Sequence, residues 1–401
     1  MVEGRRAIQA AACLLAFFLP LGVAPAEIVL AVGLLLVGAR ALGDRYVDPS
    51  PMDLPLLVLL CTALLAAIAS EEPLLSLRAA VSLWTVAAFY LGRAAATDAR
   101  SVARIWICLA LGASLAALAA LLQVGLGAVP IPADWVALGF PAPALRDGRA
   151  TGWFGHPLTF AGQQAMVILG LAAIAASRGR RLGSGCRWAL PLPLLAAGLV
   201  ASAARGAFAS AVAGLLTLAC WGRGARRGLT LTAGAVALAC AGLTLGALLA
   251  HRLAAPGSAE VPGRTAMWQA AIDIWREHPL LGAGPGAFRR LAPERLDISR
   301  YRPAHAHSTP LHLLAETGLV GLTAYIALWV CFFVALGRRT SRVTAAGGAF
   351  RSFAAASGIA VAAFLAMGIV EHNFGDAEVV MLAFFLAGLP LGAWEAGPSA
   401  G

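Results

Sequence analysis

Seven histidines stand in this chain of 401 residues: His156, His251, His278, His305, His307, His312 and His372. All of them fall on connections that the charge pattern below assigns to one side of the chain; an even scatter would put about half elsewhere. Histidine is the side chain suited to take and return a proton near neutral pH. The plainer reading of any single one is a polar residue at an interface. Arginines gather in the same region. The stretch 251–310 carries Arg252, Arg264, Arg276, Arg289, Arg290, Arg295, Arg300 and Arg302, with Glu260, Asp273, Glu277, Glu294 and Asp297 to pair some of them. The unpaired remainder calls for an anion, and phosphate fits the forked guanidinium best. A solvated face or contact with lipid headgroups is the competing explanation. Arg205 lies in a connection too short to leave a membrane surface, where a cation is costly and points to function, with snorkelling to lipid phosphate as the alternative. Trp268, Trp153 and Phe154 could stack on sugar rings or anchor at an interface. Glu316 could orient a histidine or cap a helix.

These residues must be positioned by apolar elements. The chain is 60% hydrophobic and 12% charged, with a mean hydropathy of +0.80. A soluble domain carries about twice that charged fraction. A chain this apolar is solvated by lipid, and in lipid the backbone must satisfy itself, here as helices. The net charge of +10 comes from 30 basic residues, all arginine. Such a balance could serve nucleic acid, but the clusters lie between apolar spans, so no nucleic-acid partner is expected. Six of the seven cysteines fall in apolar spans and Cys186 in a basic loop. That arrangement predicts neither a disulfide nor a metal site, and no cofactor.

Apolar stretches long enough to span fall near 7–24, 26–43, 53–70, 75–95, 102–126, 156–177, 187–202, 205–222, 229–250, 311–336, 352–371 and 377–395. The fold class expected is therefore an all-α integral membrane protein with about twelve transmembrane helices. Arg5 and Arg6 ahead of Ala24-Pro25-Ala26 look partly like a signal peptide, but the stretch is read as the first span. Arginine clusters alternate along the connections with Glu27, Glu71-Glu72, and Glu371 with Asp376. By the positive-inside rule both termini lie in the cytoplasm and 251–310 lies outside. Pro191 and Pro193 predict a kinked seventh span. The organisation expected is 1–250 membrane helices, 251–310 an outer loop, and 311–401 membrane helices. Within the loop, 264–277 has the spacing of an amphipathic helix, ended by Pro279 and followed by a glycine-rich turn.

The stretch from Gly263-Arg264 through Trp268, His278-Pro279 and Gly282-Ala-Gly284-Pro-Gly286-Ala-Phe288 resembles the periplasmic loop of the O-antigen ligase / O-antigen polymerase superfamily. Ala306-His307-Ser308-Thr309-Pro310-Leu311, continuing to Glu316-Thr317-Gly318-Leu319-Val320-Gly321, is similar to its histidine signature, with Ser308 where Asn is usual. Ser202-Ala-Ala-Arg205-Gly206 is similar to its arginine segment, with Ala204 where Ser is common. Arg149 through Pro157 resembles its earlier segment. The resemblance implies a GT-C-like glycosyltransferase of the bacterial inner membrane. It implies transfer of a glycan from undecaprenyl pyrophosphate to an acceptor hydroxyl, for a ligase a sugar of lipid A–core, on the periplasmic face and without a metal. The catalytic residues implied are His307 as base, with Arg264 and Arg205 on the pyrophosphate. Arg289, Arg290, Arg302, His305, Glu316, Trp268 and His156 are the further candidates for substrate binding. A polymerase or a protein O-oligosaccharyltransferase of the same superfamily is the near alternative. A twelve-span transporter is the non-enzyme one, though no repeat or midplane charge supports it.

Overall fold

The computed structural model describes residues 2–44, 49–130, 143–178, 186–221, 263–296, 303–342 and 348–394. Among them the regular structure is helical, with two isolated β-bridges, Ala128 to Ala144 and Arg146 to Arg149. Helices α1 (Val2–Phe18), α2 (Val23–Asp44) and α3 (Asp53–Ile68) open the chain. Helix α4 (Pro73–Val81) runs through a 3-10 stretch, Ser82–Ala87, into α5 (Ala88–Ala95). Then come α6 (Ala99–Leu126), α7 (Pro157–Arg178), α8 (Leu192–Ala201) and α9 (Arg205–Trp221). Two shorter helices, α10 (Arg264–Glu277) and α11 (Ala287–Arg295), precede α12 (Thr309–Arg342), α13 (Gly348–Val370) and α14 (Ala377–Gly388).

Among the described residues six helical stretches are long and apolar enough to cross a bilayer: Val23–Asp44, Pro73–Ala95, Ala99–Leu126, Pro157–Ser177, Thr309–Arg342 and Gly348–Val370. Four shorter apolar helices accompany them. The chain is a multi-pass membrane protein. Of the twelve expected spans, 229–250 lies outside the described residues, and the other eleven each coincide with helix. The seventh is interrupted as its prolines require: a helical turn at Cys186–Ala189 stops before Pro191, and α8 restarts at Leu192. Elsewhere the boundaries follow local chemistry. Asp98 starts α6 by accepting from the backbone N–H groups of Arg100 (2.7 Å) and Ser101 (2.8 Å), while Asp98 N–H donates to Ser101 Oγ at 3.1 Å. Gly127, at φ +81°, ends it.

Helix α7 is the axis of the bundle. Its apolar window is 89% buried, against 17% for α2, so α7 is covered by protein and α2 by lipid. Helices α8, α9 and α13 pack around α7, and α14 lies against α5.

The α10–α11 hairpin belongs to one end of this bundle. It docks on the start of α12 by packing Met267, Ile274 and Phe288 against Ala315 and by pairing backbone to backbone. Ala283 and Gly284 N–H donate to the carbonyls of Ala315 and Glu316 at 2.9 Å each, and Leu319 and Val320 N–H donate to those of Pro279 and Leu280 at 3.0 and 3.1 Å. Such pairing needs α12 to break, and it does so at Gly318, with φ +65°. A Cβ there would sit 2.2 Å from the Leu280 oxygen, and one on Gly282 2.3 Å from the Glu316 carbonyl carbon. Gly318→Ala should therefore cost both conformational strain of about 1–3 kcal/mol and the close approach. The expected result is a clearly lowered melting temperature in detergent. An unchanged one would show that the docking does not depend on this kink.

Candidate active site

The hairpin docking brings two remote segments to one carboxylate. Glu371 opens the connection after α13, with its side chain only 4% exposed. One oxygen is bonded by the Arg264 guanidinium, from the first residue of α10. The other lies 3.0 Å from Nδ1 of His307, from the segment leading into α12. Arg264 also donates to the Val370 carbonyl at 2.9 Å. With Nδ1–H given to the carboxylate, the Nε2 of His307 keeps its lone pair for a proton. The ring is a quarter exposed, so a substrate can reach it. His307 itself has φ +51°, a strained conformation for a non-glycine residue. It is held by the Trp268 indole N–H, which donates to the His307 carbonyl at 3.3 Å, and by its own N–H, which reaches His305 Nδ1 at 3.4 Å. Thr309 Oγ1 donates to the Glu371 carbonyl at 3.2 Å, tying the start of α12 to the same turn.

A second and a third guanidinium meet Arg264. The chain turns sharply at Ala203, with φ +49°, and α9 begins with Arg205 exposed. Gly206 packs against Val370 and Glu371, which brings the start of α9 to the turn that holds Glu371. Arg149 docks on the turn at Ala203, donating through Nε to the Ser202 carbonyl at 2.9 Å. Burial pulls the Arg149 guanidinium below its usual value, attraction to Glu371 and Asp147 opposes that, and repulsion from Arg205 and Arg264 adds to it. Arg264 bonds Glu371, and Arg149 lies within electrostatic range of Glu371, Asp147, Arg205 and Arg264, so an added anion would relieve the repulsion among the three guanidinium groups.

The histidines divide into two groups. His307 and His305 stack edge-on with ring centroids 4.4 Å apart, and His305 lies 5.7 Å from His372. His372 stacks on His312 at 3.7 Å. Beyond this wall lies a cavity of about 230 Å³ between α3, α4 and α12, lined by Ser82, Arg289, His312, Glu316 and His372 among others. Burial is the first cause that keeps His156, His305 and His372 uncharged. His305 is pushed down to about 3, with repulsion from His307 and His312 adding to burial. His156 is also lowered, by burial and then by Arg146 and Arg149, and His372 lies well below its ordinary value.

The remaining expected residues separate clearly. Glu316 does not touch His307. Its Oε1 accepts the Phe288 N–H at 3.1 Å, at the start of α11, and its Oε2 lies 3.3 Å from His312 Nε2. It therefore caps α11 and holds His312. Arg290 is engaged by Glu71 and Glu72 at 3.4 and 3.2 Å. Arg289 is exposed in the cavity wall and makes no ion pair among the described residues. His156 Nδ1 accepts the Leu158 N–H at 3.2 Å at the start of α7, and the ring lies within electrostatic range of Glu371 and His307. Arg302, with Arg252, Arg300 and His251, lies outside the described residues. Among the described residues no three His, Cys, Asp or Glu side chains are placed to hold a metal ion. Sequence reasoning missed Glu371 and Arg149. The only signal for the first was a carboxylate beside His372 and Asn373 in a connection too short to need one.

The depressed histidines carry a pH consequence. Each is neutral in the folded chain and takes a proton more readily when unfolded. The stability they contribute is full above about pH 6.5 and is lost as the pH falls through the folded values, near 3 for His305. Melting temperature should fall between pH 7 and pH 4.5, and His305→Asn should flatten that slope. An equal slope in the variant would overturn the assignment.

Residues 190–326 match the family described as O-antigen ligase, a segment that includes Arg205, Arg264, His307 and Glu316. No curated protein matches the sequence. The match takes in Arg205, Arg264 and His307 of the site, and over residues 190–326 the chain is similar to the O-antigen ligase family.

Proposed function

We propose that the protein transfers a glycan from undecaprenyl pyrophosphate to an acceptor hydroxyl, a lipid A–core sugar in the ligase reading, on the periplasmic face of the inner membrane. The observation that carries this reading is the Glu371 carboxylate bonded by both Arg264 and His307 at one end of the bundle, with Arg149 in electrostatic range of Glu371, Arg205 and Arg264. The positive-inside pattern supports that end as periplasmic and both termini as cytoplasmic.

The chemistry follows from the groups present. The donor carries its sugar through an anomeric C–O–P bond. The guanidinium groups hold the pyrophosphate and take up the negative charge that grows on it as that bond breaks. The acceptor hydroxyl gives its proton to His307 Nε2 while its oxygen attacks the anomeric carbon. The electron pair of the breaking C–O bond leaves with the pyrophosphate. Direct attack inverts the anomeric centre. No step requires a metal ion, because fixed cations supply the charge. Glu371 holds the imidazole tautomer and stabilises its protonated form. Arg149 joins Arg205 and Arg264 as a third phosphate ligand.

Two substitutions test the roles. His307→Ala should lower transfer about 100-fold or more with the protein still in the membrane, as loss of a general base does. Glu371→Gln keeps the shape and removes the charge, and should fall similarly while flattening the acid limb of the pH profile. Glu316→Gln should instead lower stability and leave that limb in place. Full transfer by His307→Ala would remove the mechanism. The glycolipid left in a deletion strain separates the readings: long carrier-bound chains with bare lipid A–core mean ligase, and single-unit caps mean polymerase.

A further inference from the structure

The far end of α12 carries a feature the site does not use. Val330, Val334, Arg338 and Arg342 follow one another at four-residue steps and share one helix face. They line a groove of about 730 Å³, closed by Pro51 and Leu391. Val330 and Val334 are 55% and 44% exposed, so the chain itself leaves the apolar half of the stripe open. Arg338 and Arg342 are exposed and make no ion pair among the described residues. Arg339 between them is occupied otherwise, bonding the Gly392 carbonyl and lying 5.9 Å over the Phe350 ring.

The stripe is about 18 Å long at helical rise, half apolar and half cationic. A glycerophospholipid has that order of zones, with acyl chain toward the membrane centre and phosphate at its surface. Arg338 lies twenty residues beyond the Gly318 kink, about 30 Å, which is the thickness of the apolar core. The groove therefore opens to the leaflet opposite the candidate active site and cannot serve the donor's pyrophosphate there. We propose that this groove binds an anionic glycerophospholipid, its phosphate between Arg338 and Arg342 and one acyl chain along Val330, Val334 and Leu391. Charges placed only to suit a helix C-terminus would need no apolar groove beside them.

The test uses the full chain, purified in detergent and stripped of lipid, and titrated in native mass spectrometry. Phosphatidylglycerol should bind about 10-fold more tightly than phosphatidylcholine, which carries the phosphate without net charge. Inorganic phosphate should not displace it. Arg338→Gln with Arg342→Gln should reduce binding to the phosphatidylcholine level, and so should Val334→Asp, which places an anion in the groove. Arg100→Gln with Arg104→Gln, on α6 at the same end, should leave it unchanged. Equal binding of both lipids, displacement by phosphate, an equal loss in the α6 pair, or retention by the Arg338/Arg342 variant would each overturn the proposal.

Discussion

The site depends on one carboxylate that two distant parts of the chain must share. Glu371 stands in a short connection between two membrane helices, yet it bonds Arg264 from the start of α10 and His307 from the approach to α12. The partners are 107 and 64 residues away in sequence. A buried carboxylate left without them would cost several kcal/mol. Helix α10 therefore cannot drift from the bundle without stranding a charge. The strained backbone of His307 has the same origin: the ring must face Glu371 while its carbonyl takes the Trp268 indole N–H.

The electrostatics then divide by residue type. The cationic charge is carried by guanidinium groups, which stay ionised when crowded. The histidines behind His307 are buried and kept neutral, so they add bulk and ring surface without adding charge. A proton passed along the rings from His307 to His312 would have to rest on His305 or His372, both of which disfavour it. The wall thus separates the two sides, and His307, with its own carboxylate and partial exposure, is the ring equipped to take a proton.

Much of this was legible in the sequence where periodicity and spacing act locally. The amphipathic pattern over 264–277 coincides with α10, and the two prolines near 191 interrupt the helix where expected. His307, Arg264 and Arg205 come together at one end. What escaped was whatever depended on long-range meeting. Glu371 looks like any carboxylate in a short turn until α13 delivers it to α10. Arg149 looks like a loop charge until Ser202 receives it. Glu316 has the right chemistry to orient a histidine, but the kink at Gly318 gives it to His312 and to the start of α11. Arg290 resembles its neighbour Arg289 in sequence, yet only the fold brings Glu71 and Glu72 to it.

Helix α12 shows why the two ends of the molecule can hold different chemistry. Its first turns are bent at Gly318 so that backbone donors and acceptors face the hairpin, and there the arginines gather around a deep carboxylate that fixes them. Its last turns are regular, and Arg338 and Arg342 project where no carboxylate reaches them among the described residues. Arginines tied into a network are preorganised for a reacting group whose charge changes. Arginines free along an apolar groove suit a ligand whose charge is constant and whose tail is buried. On the proposed reading the same residue type serves a centre of chemistry at one end and a lipid contact at the other, and the difference lies in whether an acidic partner has been folded against it.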